Sequence, residues 1–125
     1  MMKLKDEVKV ALVGPCSSGK STLRKHLLAA GFRNIKMPTQ EHSYVKDMWQ
    51  KLTKPDLLIY LDVDYPTTLK RRPHIDLGPE RVDIQNERLS HAREHADFYL
   101  DTSPLSPAEI GSNVIQFLES KILEM

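Results

Sequence analysis

Between residues 14 and 21 the sequence reads Gly14-Pro15-Cys16-Ser17-Ser18-Gly19-Lys20-Ser21, and the residue types suit the holding of a polyphosphate. The spacing fits G-x-x-x-x-G-K-[ST]. Glycines let the backbone turn its N–H groups inward into a concave anion nest. A helix opening near Lys20 aims the positive end of its dipole at the same place. Lys20 brings a mobile charge for β- and γ-phosphates, Ser21 a hydroxyl for Mg²⁺, and Thr22 a donor for an α-phosphate. The plainer explanation is a serine-rich turn capping a helix, but the segment lies between an apolar run and a helical pattern, where a phosphate loop has to lie. Cys16 sits inside it; a helix N-terminus can acidify a thiol there, and a small residue fitting a crowded turn explains it as well.

Phosphoryl transfer further needs a metal holder, positive charge on the moving group and something to orient the nucleophile. A carboxylate at the C-terminal edge of a neighbouring strand meets the first need. Asp62, closing the run LLIYLD, is the first candidate and Asp64 the second; a strand-end turn residue is the alternative for Asp62. Lys70, Arg71 and Arg72 precede a Pro- and Gly-containing loop within the tract RRPHIDLGPE, and Arg81 and Arg88 follow it. The guanidinium fork matches phosphate oxygens, whereas Asp76, Glu80 and Asp83 nearby also fit a solvated charged surface. His91-Ala92-Arg93-Glu94-His95 has the H-x-x-E-H pattern of certain zinc peptidases. It has no evident third ligand, and a polar helix face accounts for it.

The elements that must position these residues alternate. Residues 8–13 read as a buried strand stopped by Gly14 and Pro15. A helix from Lys20 puts Leu23, Leu27 and Ala30 on one face and ends at Gly31. Residues 32–37 form a weak strand, and 41–52 an amphipathic helix. Residues 57–63, LLIYLDV, are apolar enough for a strand covered on both faces. Pro66 opens a helix through Arg72. Pro79 opens another reaching about Ala96, with Val82, Leu89, Ala92 and Ala96 inward. Residues 97–101 are a short strand. Ser106-Pro107-Ala108-Glu109 is a capping box before a last helix, whose face from Ile110 to Ile122 suits a core or a homodimer contact. Strands alternating with helices predict an α/β fold: a three-layer α/β/α sandwich on a mostly parallel sheet of about four strands, in one domain spanning residues 1–125. Ligands of such sheets sit at the C-terminal edge of the strands.

The totals exclude other classes. With 18 Lys plus Arg against 17 Asp plus Glu, the net charge of +1 gives no global field toward nucleic acid or membrane, so anion binding has to be local. One cysteine excludes an internal disulfide. The charged start MMKLKDEVKV lacks a signal-peptide core, and no apolar run can span a bilayer. A soluble, cytoplasmic protein is expected, with neither a membrane nor a nucleic acid as partner.

Three stretches resemble the P-loop kinase group of nucleoside, nucleotide and small-metabolite kinases. VALVGPCSSGKSTL carries the motif. PDLLIYLDVDYPTTLKRR, residues 55–72, looks like the strand, turn and helix leading into the lid of thymidylate and deoxynucleoside kinases. ADFYLDTSPLSPAEI, residues 96–110, is similar to the last strand and following turn of cytidylate, shikimate and related kinases. The resemblance implies the P-loop NTPase type of fold, ATP and Mg²⁺ as cofactors, and a small-molecule phosphoryl acceptor. It implies phosphate clamping by lid arginines among Arg71, Arg72 and Arg81, and packing of Thr102, Ser103 and Pro104 on the base. EHS at residues 41–43 loosely resembles a Glu-Arg-Ser element, which implies Glu41 as proton acceptor; a carboxylate at a helix N-terminus explains Glu41 otherwise. Ser21 and Asp62 would hold the metal. No N/T-K-x-D element is convincing as a reader of guanine, which favours ATP. The chain departs from the group in lacking a clear acceptor module and one strand–helix unit. A nucleotide-binding regulatory module with little turnover, or a partner-dependent NTP hydrolase, therefore stands beside the kinase.

Overall fold

The computed structural model describes residues 4–76 and 78–125. β1 (Lys9–Val13) lies inside a four-stranded sheet because Val10 to Val13 have no polar side chain to offer solvent on either face. Its neighbours are β2 (Asn34–Lys36) and β3 (Leu57–Asp62), and β4 (Phe98–Asp101) follows β3, giving the order β2-β1-β3-β4. Every pairing is parallel; Val10 stands opposite Ile35 and Leu57, and Asp62 opposite Asp101.

The period of two along the strands assigns the faces. Val10, Leu12, Ile59 and Leu61 pack with Leu23 and Leu27 of α1 (Lys20–Ala29) and with Ile110, Val114 and Leu118 of α6 (Pro107–Ile122). Ala11, Val13, Leu58 and Tyr60 pack with Trp49 of α2 (Met48–Thr53), with Leu89, and with Ala92 of α5 (Ser90–His95). Helices thus cover both faces of a parallel sheet. Ser106 and Glu109 make the reciprocal capping box that starts α6. α3 (Tyr65–Arg71) starts at Asp64, whose side chain accepts from the Thr67 N–H at 2.8 Å. No helix among the described residues is long and apolar enough to cross a membrane.

Two expected helices are broken. Residues 41–52 form a 3₁₀ turn (Gln40–His42), an irregular link and the short α2. The buried Gln40 causes this: its Oε1 accepts from the Trp49 N–H at 2.9 Å and its Nε2 donates to the Val45 carbonyl at 2.8 Å. These bonds, with the Ser43 hydroxyl accepting from the Val45 N–H, hold the link out of helical geometry. The expected helix from Pro79 to Ala96 is divided into α4 (Pro79–Arg88) and α5, with Leu89 at φ −94°, ψ −2° and fully buried between them. No Gly or Pro marks that break; burial of Leu89 accompanies it.

Candidate functional site

The loop from Gly14 to Gly19 joins β1 to α1 and passes close over β3. A Cβ on Gly14 would stand 2.1 Å from the Leu61 carbonyl oxygen, so only glycine fits. Gly19, at φ +100°, turns the chain into α1 and offers no side-chain cap. The first turn of α1 holds no acidic residue either, so its free N–H groups and its dipole are left for an anion. Ser17 adopts φ +67°, a conformation costing a non-glycine residue roughly 1 kcal/mol. Ser18 is fully buried, and its hydroxyl has no hydrogen-bond partner.

Lys20 folds back across this loop. Its Nζ donates to the Gly14 carbonyl, to the Pro15 carbonyl at 3.1 Å and to Glu41 Oε2 at 2.8 Å. Both ends of the Lys20–Glu41 pair are shielded, with side-chain exposures of 12% and 5%. A pair this buried holds together because each charge would be left uncompensated alone. Glu41 Oε1 is buried with no partner. Gln40 fixes the turn that carries Glu41, also donating to the Arg88 carbonyl at 3.2 Å. Arg88 in turn donates to the Glu41 carbonyl at 3.3 Å, with its guanidinium 4.4 Å from the Tyr44 ring centroid.

A cavity of about 430 Å³ opens beside the loop. Residues 16–22, Glu41, Arg71, Arg72, Leu105, Pro107 and Ile110 form its main walls. Arg71 is committed to structure: Nη1 donates to the Ser17 carbonyl at 2.8 Å and to the Thr102 hydroxyl at 3.0 Å, and Nη2 to the Thr102 carbonyl at 2.6 Å. Its burial pulls the guanidinium pKa below the ordinary value. Arg72 lines the cavity and is exposed. Arg81 is exposed on α4, outside the cavity wall.

Other expected residues stand elsewhere. Asp62 shares its strand face with Leu58 and Tyr60, not with Leu61 beside the loop. Its carboxylate accepts from the Tyr99 hydroxyl and lies 3.7 Å from Arg93 Nη1, in a separate concavity shared with Asp64, Asp83 and Asp101. The expected pairing of Ser21 with Asp62 around one metal is therefore not assembled; among the described carboxylates Glu41 is the one lining the loop cavity.

Thr102 is fully buried, and its hydroxyl lies 2.7 Å from the Asp62 carbonyl and 3.2 Å from the Ser18 carbonyl, tying the sheet edge to the loop. Ser103 accepts from the Asp64 N–H at 2.9 Å, and Pro104 is exposed off the cavity. Of the residues that follow β4, Leu105, Pro107 and Ile110 line the cavity and residues 102–104 do not. The H-x-x-E-H pair is accounted for by packing: His91 and His95 stack at 4.2 Å, and Trp49 Nε1 donates to His91 Nδ1 at 3.2 Å.

Sequence reasoning missed Gln40 and Gln85. Gln85 Oε1 accepts from the Cys16 N–H at 2.9 Å, and its Nε2 lies 3.3 Å from Cys16 Sγ, fastening the loop to α4. Its signal was present: an amide in the inward stripe of Val82, Leu89 and Ala92 on a helix pattern. Gln40 carries no such signal, because its partners come from tertiary placement.

No protein-family model matches the chain, and no curated protein gives a significant match.

Proposed function

We propose that the chain is a P-loop nucleotide-binding protein of the small-kinase type, taking ATP with Mg²⁺ and passing the γ-phosphoryl group to a small hydroxyl compound. The observation that carries this reading is Lys20, folded over the uncapped start of α1 and held by loop carbonyls and Glu41 in the cavity wall. The residues fit the cofactor on structural grounds. The Cβ-free approach of Gly14 to Leu61 brings the loop backbone down onto the sheet. The open first turn of α1 supplies N–H donors without a competing carboxylate.

Lys20, held by loop carbonyls, would take phosphate oxygens in their place as a stronger, charge-assisted set of partners. Ser21, on the first turn of α1, is the hydroxyl that would hold the metal, with Glu41 the carboxylate on hand to orient it or to take a proton. Mg²⁺, when bound, supplies neutralisation of phosphate charge and in-line orientation. Glu41 Oε1 is unpartnered and therefore able to accept the proton of an acceptor hydroxyl. Arg72 is the cavity arginine that can swing onto the transferred group, while Arg71 keeps Ser17 and Thr102 in place. Leu105, Pro107 and Ile110 offer an apolar wall for a base.

One observation favours a binding module with little turnover. β1 is flanked directly by β2 and β3, leaving no strand between β1 and β2 to carry a further carboxylate toward the loop. The test is Mg²⁺-ATP turnover with and without pooled nucleosides, nucleotides and small hydroxyl metabolites, following ADP and phosphorylated product. Pool-dependent product supports the kinase. ATP binding without ADP formation moves the assignment to the regulatory module, and ADP release at one rate either way points to a hydrolase. Lys20→Ala is expected to abolish product and weaken ATP binding by about 100-fold or more, with helicity retained; unchanged activity overturns the reading.

A further inference from the structure

We propose that Cys16, Glu41 and His42 form a binding site for a divalent cation of the zinc class. One donor atom from each, the thiol Sγ, a carboxylate oxygen and an imidazole nitrogen, lies within 4.8 Å of the other two, and this is the one such group among the described residues. Cys16 Sγ is 3.7 Å from His42 Nε2, and His42 Nε2 is 3.9 Å from Glu41 Oε2. Tetrahedral zinc with ordinary Zn–S, Zn–N and Zn–O bond lengths spaces its ligand atoms about 3.4–3.6 Å apart. The Cys16–His42 and His42–Glu41 spacings are within about half an ångström of this, and the Cys16–Glu41 spacing is under 4.8 Å, so the cluster has to contract to close on an ion.

A second, independent observation points the same way. Glu41 is buried; its Oε2, 3.9 Å from His42 Nε2, accepts from Lys20 at 2.8 Å, while its Oε1 is buried with no hydrogen-bond partner. An unmatched buried carboxylate oxygen is costly, and Lys20 on Oε2 answers only half of it. A cation on Glu41 would satisfy the remainder. The donor set of one S, one N and one O selects zinc-class ions over Mg²⁺ or Ca²⁺, which prefer oxygen alone.

The surroundings suit ligation. Gln85 Nε2, 3.3 Å from Cys16 Sγ, is placed to donate to a thiolate and orient it. His42 is half exposed and gives the ion a path from solvent. On binding, the Cys16 S–H proton passes to solvent and the sulfur lone pair forms the metal bond, with no oxidation. Cysteinate and carboxylate bring two negative charges to the dication, Lys20 sharing the carboxylate, and a water would complete the fourth position. The site does not depend on the nucleotide reading: it shares Glu41 with it, but the side chains of Cys16 and His42 have no part in that reading.

The test is titration of the full chain with Co²⁺, read by cysteinate-to-cobalt charge-transfer absorption, and with Zn²⁺, read by calorimetry. Wild type is expected to give the band and one Zn²⁺ per chain. Cys16→Ser is expected to remove the band, and Cys16→Ser, His42→Ala and Glu41→Gln each to weaken Zn²⁺ by about tenfold or more. His42→Ala should leave ATP binding in place. Absence of the band in wild type, or Zn²⁺ affinity unchanged from wild type in Cys16→Ser and His42→Ala, overturns the site. Loss of Zn²⁺ in His91→Ala/His95→Ala instead moves the ion to α5 and also overturns it. The wild-type band needs no variant to fold. A band in a chain that binds no ATP upholds the cation site while the nucleotide reading fails.

Discussion

Two concavities open at the C-terminal edge of the same parallel sheet, on opposite sides of β3, and present opposite charge. On one side Leu61 lends its carbonyl to the close approach of Gly14, and the loop brings Lys20, Arg72 and the uncapped start of α1 to an open cavity. On the other, one residue along the strand, Asp62 points at Tyr99 and Arg93 beside Asp64, Asp83 and Asp101. The alternation of side chains along β3 separates them. Basic side chains outnumber the one carboxylate in the first, and the second has carboxylates from Asp62, Asp64, Asp83 and Asp101. A strand ending in apolar residues and then Asp thus meets a phosphate loop only when the parity of its last residue faces that loop.

The largest expected effect on this contrast is at the point where the loop meets β3. Gly14→Ala puts a methyl group against the Leu61 backbone and should cost about 3 kcal/mol or more of stability. Chemical denaturation with an ATP-binding isotherm reads both consequences, and a variant as stable as wild type would show that the close approach is not required. Next comes the comparison of the two carboxylates. Glu41→Gln should lower turnover by about 100-fold, the size expected for a general base, whereas Asp62→Asn should leave kcat/KM within about twofold. Equal losses would place Asp62 in the reaction and erase the distinction between the two sides.

Smaller effects come from titration on the acidic side. Hydrogen bonds from the Thr67 hydroxyl and N–H hold the Asp64 carboxyl below its usual range, and away from this concavity those from Ser106 do the same for Glu109 at the start of α6. A carboxyl whose folded pKa is depressed contributes stability above its unfolded pKa, near 4, and that contribution is lost as pH falls through the folded value. Asp64→Ala should cost about 1 kcal/mol at neutral pH and make the acid limb of a Tm profile shallower, with ATP binding unchanged.

At the alkaline end, burial and the hydrogen bond to Asp62 push Tyr99 up to about 12. A phenol with a raised folded pKa adds stability that is present below its ordinary value near 10.0 and is lost as pH rises through about 12. Tyr99→Phe should flatten that alkaline loss in the same profile; an unchanged slope would remove Tyr99 from the network.

Much of the fold was legible because local chemistry and packing agreed. The run from Val8 to Val13 is apolar on both faces and becomes the interior strand; Ser106 to Glu109 carry their own capping bonds; Pro66 and Pro79 stand at helix starts. The two broken helices were not legible. Gln40 breaks one by bonds to Val45, Trp49 and Arg88, residues 5, 9 and 48 positions away in sequence. Leu89 sits at the second break with a residue type that marks no boundary.

The candidate site divides along the same line. The sequence by itself determined the loop, because glycines, Lys20 and Ser21 act through backbone geometry and the helix that directly follows. It also determined a parallel sheet, through alternating strand and helix patterns. Only the tertiary structure decided which distant side chains join that loop. Glu41 arrives from the 3₁₀ turn and Gln85 from α4, Arg71 turns inward to hold Thr102, and Asp62 turns away to Tyr99. The physical reason is that which strand face meets the loop, and which partners the buried polar groups find, are set by packing between elements and not by the spacing of residues along the chain.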